Sequence, residues 1–310
     1  MTAEVSESTA DSDRGSAFDL SVVVPTLDRT GPLSRLLESL GNQEGVRFEV
    51  IIVDQNPTPL LEAVLKAAET PYPLRHLRTP EIRGASRARN HGLAEASGAA
   101  VLFPDDDSWY PPGTLLRGLD LLKSQHVDAV FGRPTDTAGR TINGRFEASR
   151  VLVDRSNVFT THIEWMAFFR TTSIRSVGGY NPKIGVGAPT PWQSCEAQDL
   201  SLRLLSQGQS LLYDPDLIGH HDRLDTENPD RSMRRRARRY GRGHGFVLGR
   251  HRFGPNRALY WVIRPIGGML RGVARLNIDQ VRYYGSVAAG RIEGYIGGRY
   301  SKIRPDELDQ

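Results

Sequence analysis

Three successive carboxylates, Asp105, Asp106 and Asp107, follow the apolar run VLFP and precede SWYPPG. Acids this close repel one another, and at a strand end they call for a cation. Hard oxygen ligands select Mg²⁺ or Mn²⁺ over zinc or copper. A solvated turn with an aspartate cap ahead of Pro111 is the plain alternative. Asp54 ends the run FEVIIVD, a position where a carboxylate accepts hydrogen bonds from ribose hydroxyls or a base N–H. Arg83, Arg87 and Arg89 in RGASRARNHG set positive forks beside a helix start, which suits a diphosphate. In SCEAQDLSLRLL, Glu196 and Asp199 stand at i and i+3 in a first helical turn, either as a general base or as acids that stabilise the helix dipole.

The elements that must position these groups follow from periodicity. LSVVVP (20–25) and FEVIIVD (48–54) read as buried strands, and a weaker strand covers 74–77 before AVLF and the triplet. Between them lie helices: Leu33, Leu36, Leu37 and Leu40 form one face ended by Gly41, and further helical stretches cover about 60–68 and 85–96. This β-α-β-α-β-α-β order implies a parallel sheet with right-handed crossovers, with ligands at the carboxyl ends of its strands. Pro25, Thr26, Asp28 and Arg29 after the first strand, Asp54 after the second and the triplet after the fourth then share one edge. No dinucleotide glycine fingerprint follows the first strand and no GxxxxGK loop occurs, so dehydrogenase and P-loop chemistry are excluded.

At 310 residues the chain can bury a large core, and its single cysteine, Cys195, rules out a disulfide scaffold. The polar, acidic first residues read as a disordered leader (1–18) without signal-peptide features. No run reaches the ~18 apolar residues of a transmembrane helix. Residues 231–310 carry 18 Lys and Arg against 5 Asp and Glu, and residues 1–230 carry 22 against 31. Ile263, Ile266, Met269, Leu270, Val273 and Leu276 interleave with Arg271 and Arg275, the pattern of an amphipathic helix on an anionic membrane. A nucleic-acid contact lacks the aromatic motif of a known reader.

The succession SVVVPT, EVIIVD, GASRARNHG, FPDDDSWYPPG, GGYNP and EAQDLSLRLL resembles the inverting family 2 glycosyltransferases over roughly residues 20–221. The resemblance implies an α/β fold of the GT-A type, Rossmann-like with a mostly parallel central sheet flanked by helices. It implies a catalytic domain at 19–230, with a nucleotide-sugar half at about 19–110 and an acceptor half at about 111–230, followed by a basic, amphipathic helical extension at 231–310. It also implies a nucleotide-diphosphate sugar donor (UDP, GDP or dTDP) and a Mg²⁺ or Mn²⁺ ion on an Asp-x-Asp motif, here Asp105 and Asp107. Asp106 then meets the ribose or the sugar. Asp54 matches the nucleoside-binding aspartate, and Pro25 and Thr26 flank the base. His221 matches a histidine that ligates the metal or contacts the diphosphate, with His220 as its fallback.

Family members commonly read Glu-Asp-x-Asp or Glu-Asp-x-Glu before the leucine, with the second residue as base; this chain has Ala197 there, which places Glu196 ahead of Asp199. The long irregular stretch GGYNPKIGVGAPTPWQS reads as a substrate loop, with Gly187 and Trp192 toward the acceptor. Trp192 either stacks on a sugar ring or belongs to the core. The expected activity is transfer of one sugar to a glycan or polyprenyl-linked acceptor of the cell surface, by a cytoplasmic enzyme peripheral on the inner membrane face. A sugar-nucleotide-forming nucleotidyltransferase and a catalytically degenerate scaffold are the alternatives.

Overall fold

The computed structural model describes residues 16–222 and 228–301. Most of the leader and residues 302–310 lie outside the described residues. The first strand, β1, is Phe18–Thr26. Then follow α1 (Gly31–Gly41), β2 (Phe48–Asp54), α2 (Glu62–Ala67), β3 (Leu74–Arg78), α3 (Ala85–Glu95) and β4 (Gly98–Leu102). Successive residues of β1 point to opposite faces, with Val22 and Val24 in one apolar cluster and Val23 in the other. Because helices cover both faces, consecutive residues Val22, Val23 and Val24 are all buried rather than alternating with polar ones. β3, β2, β1 and β4 pair in parallel, with Thr26 opposite Asp54.

The second half of the sheet departs from the parallel pattern. It contains β5 (Ser108–Trp109), β6 (Ala129–Thr135), β7 (Val151–Leu152), β8 (Ala167–Arg170) and β9 (Leu211–His221), interspersed with α4 (Thr114–Ser124), α5 (Thr171–Ser176) and α6 (Glu196–Ser206). β8 enters between β4 and β6, antiparallel to both, and β6 runs parallel to β9. The two-residue β5 pairs antiparallel with the end of β9, Ser108 opposite His221. That short pairing carries the histidine to the acidic triplet.

The C-terminal segment is helical: α7 (Arg231–Arg250), α8 (Pro255–Ile263), α9 (Ile266–Ala274) and α10 (Ile278–Arg299). α7 and α10 meet along glycines four apart, Gly241, Gly245 and Gly249 against Gly290, Gly294 and Gly298. A Cβ on Gly294 would overlap the Arg242 carbonyl, and one on Gly245 would overlap that of Arg291. Backbone therefore lies on backbone. Around this seam Arg234 pairs with Asp279 (2.7 Å), and Arg238 and Arg242 pair with Glu293. Much of the arginine-rich face of α7 is thus turned to α10.

The close approach makes a prediction. Gly294→Ala should cost about 1–3 kcal/mol by overpacking, read as a lowered urea midpoint. Gly267→Ala, where a methyl meets nothing within 4 Å, should be neutral or stabilising. Equal midpoints for both variants would show that the helices do not meet at these glycines.

Candidate active site

The carboxyl ends of β1, β2 and β4 and the end of β9 converge on one edge. Asp54 is fully buried there. Its Oδ1 accepts from the N–H and Nδ2 of Asn56 (2.8 and 2.7 Å), and its Oδ2 lies 2.9 Å from His76 Nε2. Asn56 Oδ1 in turn accepts from the Asp28 N–H at 2.7 Å, which holds the exposed loop of Asp28 and Arg29. Asp54 thus reaches this edge through Asn56 and His76, neither of which the motif pattern had marked.

The triplet separates into three environments. Asp106 accepts from Thr26 Oγ1 (2.7 Å) and from Arg29 Nη1 (2.8 Å). Burial pushes its carboxyl up to about 6, a rise that these two partners only partly offset. Asp107 is half-buried, and the His221 hydrogen bond and the Arg29 charge outweigh that burial and hold it below the ordinary range. The same contact raises His221 against the effect of burial. One oxygen each of Asp105 and Asp107 and one nitrogen of His221 lie within 4.8 Å of one another. His221 Nδ1 donates to the Asp222 carbonyl at 2.7 Å, leaving Nε2 facing Asp107 at 3.1 Å. Two carboxylates and an imidazole oriented from behind by a carbonyl fit a divalent cation. His220, the next residue on the strand, bonds Thr135 Oγ1 (3.0 Å) and lies against Trp109 instead.

Arg89 departs from the expected diphosphate role. It is 97 % buried, 3 % exposed, on the inward face of α3 with Ser86, Ala88 and Leu93, whereas Arg83 and Arg87 are exposed. Its Nη1 donates to Glu196 Oε1 (3.2 Å) and its Nη2 to Asp105 Oδ1 (3.1 Å). One guanidinium therefore joins the candidate base to a candidate metal ligand. Burial opposes its charge, yet Tyr180, Asp105, Glu196 and Glu164 hold it above its ordinary value. The N–H of Ala85 that opens α3 is also taken, by Val186 O at 2.9 Å, in the loop that presents Gly187 against Gly84.

Packing bears on two other candidates. Asp199 is fully buried, with Oδ2 accepting from Arg203 Nε (2.9 Å) and Oδ1 at 2.8 Å from His251 Nε2. Burial opposes its charge, but Arg203, His251 and Arg250 hold it far below the carboxylate range, so it is a clasp between α6 and the end of α7 and a poor base. The half-buried Trp192 ring stacks on Phe246 of α7 (centroids 4.4 Å apart, planes at 14°) and abuts Gly297 of α10, in line with the core reading. Ser194 Oγ donates to the Tyr240 carbonyl at 2.7 Å, and Gly243 lies flat against Ser194. The extension is thereby fastened to the residues just before Glu196.

Glu164 escaped sequence reasoning. It opens the 3-10 turn Glu164–Met166, and its neighbour Trp165 lies 5.7 Å from the His221 ring. Burial first, then the charge of Glu196, push its carboxyl well above the usual range. An acid inside the apolar run THIEWMAFF was the available signal.

The glycosyl transferase family 2 model matches residues 21–177, a little over half of the chain. The chain belongs to that family. An uncharacterized glycosyltransferase of Bacillus subtilis, YwdF, is 33 % identical over 174 residues, 53 % of this chain and 63 % of that protein. The chain spans about a third to two thirds of the length of the curated relatives it matches first, from 31 % to 66 %. The fold is that of GT-A glycosyltransferases. A mannosyltransferase from Pyrobaculum calidifontis, solved with GDP-Man and Mn²⁺, superposes with a TM-score of 0.57 at 18 % identity, covering 92 % of this chain and 88 % of that one. Staphylococcus aureus TarS (1–349), solved with UDP-GlcNAc, gives 0.53 at 19 % identity, covering 88 % and 92 %. Family membership sets the nucleotidyltransferase alternative aside.

The Glu164 environment has a measurable consequence. Between the ordinary carboxylate value of about 4.3 and its raised native value, the folded chain holds a proton that the unfolded chain has lost, so this group's contribution to stability falls as pH rises through that window. Glu164→Gln, neutral throughout, should lose less urea stability than wild type between about pH 5 and 8. Parallel pH profiles for the two proteins would contradict the buried environment.

Proposed function

We propose that this chain is an inverting, metal-dependent glycosyltransferase that moves a sugar from a nucleoside-diphosphate sugar to a hydroxyl of a glycan or lipid-linked acceptor in cell-surface polysaccharide synthesis. The convergence of Asp105, Asp107 and His221 within 4.8 Å, on the strand-end edge of a family 2 fold, carries the reading. Those three residues would hold Mn²⁺ or Mg²⁺, the imidazole favouring Mn²⁺, and the ion would neutralise charge growing on the departing diphosphate. Pro25, Thr26, Asp28 and Asp54, the last through Asn56, border the nucleoside end. Arg29 anchors Asp106 beside the ribose or the sugar, and the exposed Arg83 and Arg87 attend the diphosphate.

Glu196 takes the proton from the acceptor hydroxyl as that oxygen attacks the anomeric carbon from the face opposite the leaving group. The carbon–oxygen bond to the diphosphate breaks as the new one forms, and the configuration inverts. Arg89 positions this base by sharing its fork with Asp105. The Gly187 loop lies toward the acceptor. A second reading of the base rests on Glu164, which lies within the field of Arg89 and Glu196 and whose proton affinity burial raises. The acceptor is met at the anionic inner face of the cell membrane, on the cytoplasmic side. The charge split of the chain supports that reading.

One assay tests the account: turnover of UDP-, GDP- and dTDP-sugars with Mn²⁺, for wild type and for Asp107→Ala, Glu196→Gln and Glu164→Gln. Wild type should turn over one donor class, and Asp107→Ala should lose metal-dependent donor binding. Glu196→Gln should drop kcat by about 10²–10⁴ with donor binding kept, the usual worth of a general base. If Glu164→Gln alone gives that drop, the base is Glu164. Tight nucleoside diphosphate binding with no turnover of any donor would mark a scaffold.

A further inference from the structure

Residues 231–278 contain thirteen arginines and no aspartate or glutamate. The fold divides this run into two unlike parts. In α7, Arg234, Arg238 and Arg242 are neutralised by Asp279 and Glu293, and the glycine face is covered by α10. The α8–α9 pair instead turns its apolar side outward. Leu259, Ile263, Ile266, Leu270 and Val273 are each 44–64 % exposed, and Leu276 just beyond α9 is 94 % exposed. On α9 the inward positions are Gly268 and Gly272, against Tyr284 and Val281 of α10. Ile266, Leu270 and Val273, at i, i+4 and i+7, occupy the opposite face.

A contiguous ridge of branched aliphatic side chains on a protein surface marks a contact site. Its charge complement identifies the occupant. The exposed Arg271 and Arg275 flank the ridge, and no acid occurs between residues 231 and 278. Aliphatic side chains bordered by arginines match the boundary between acyl chains and anionic headgroups. α8 and α9 have nine residues each, far short of the ~20 needed to cross a bilayer. Among the described residues no helix is long and apolar enough to cross a membrane. A pair of short helices lying in the interfacial plane satisfies all of these facts.

We propose that the α8–α9 ridge is the surface that enters an anionic lipid bilayer, with Leu270, Val273 and Leu276 in the acyl boundary and Arg271 and Arg275 at the headgroup phosphates. The inference rests on the membrane reading above and narrows it from residues 231–310 to these two helices. It leaves the α7–α10 seam as the strut between bilayer and active site, since Gly297 abuts Trp192 and Tyr240 holds Ser194.

The test is flotation of the full chain with vesicles of phosphatidylcholine and phosphatidylglycerol, and with phosphatidylcholine alone. Wild type should float with the anionic vesicles, less so at high salt, and far less with the neutral ones. Leu270→Glu with Val273→Glu should reduce binding at least about tenfold, and Arg271→Ala or Arg275→Ala about fivefold each. Thermal melts and nucleoside diphosphate binding should match wild type in all of them, since the altered side chains are exposed and outside the site. If wild type does not float, the membrane reading itself is wrong. If wild type floats and the double glutamate variant floats equally, the ridge assignment is overturned and membrane binding lies elsewhere. A wild-type dimer that the double variant dissociates, without vesicle binding, would make the ridge a self-interface and overturn the proposal.

Discussion

Arg89 carries its positive charge on a side chain that is almost wholly buried, with the carboxylates of Asp105 and Glu196 on its two prongs at 3.1 and 3.2 Å. Removing such ions from water costs several kcal/mol each, and only close, hydrogen-bonded opposite charges recover it. The consequence is geometric: neither carboxylate can drift without leaving a buried guanidinium underpaired. Asp105 belongs to the loop after β4 and Glu196 opens α6, so the arginine on α3 fixes the separation between the candidate metal ligands and the candidate base. Glu164, whose carboxyl is pushed up by burial first and then by the charge of Glu196, lies beside this pair.

Around that centre, the secondary elements are arranged so that chain ends meet. β1 and β2 deliver Thr26 and Asp54 side by side, and the β5–β9 pairing delivers His221 to Asp107. The extension then closes the back of α6, through His251 on Asp199, Phe246 on Trp192 and Tyr240 on Ser194. A segment that composition marks as a basic tail is thus packed against the elements that carry the candidate site.

The parallel half of the sheet was legible because β-branched runs such as Val22–Val24 and Ile51–Val53 leave no polar face, and helices between them have no other place to go. That Asp105, Asp107 and His221 come together was foreshadowed by the motif order of the family resemblance. The antiparallel β8 was not, since AFFR is four residues long and carries no alternation that distinguishes it from a buried turn. Arg89 was grouped with Arg83 and Arg87 by proximity in sequence. The helical turn separates them, placing Arg89 three residues from Ser86 and four from Leu93 on the inward face. The packing of Trp192 and Asp199 was harder to read because their partners Phe246, Gly297 and His251 lie 52 to 105 residues away, in a segment whose docking has only a faint sequence sign. The glycines four apart in both YGRGHGFVLG and GRIEGYIGG were that sign.

The central claim is that the two-pronged contact of Arg89, and not its charge alone, sets the active-site geometry. The most direct measurement is the transfer rate of Arg89→Lys at saturating Mn²⁺ and donor. Lysine keeps the charge but supplies a single point donor that cannot hold two carboxylates in a fixed fork. The account predicts that kcat falls by about tenfold or more while the protein stays folded. A rate within about twofold of wild type would contradict it.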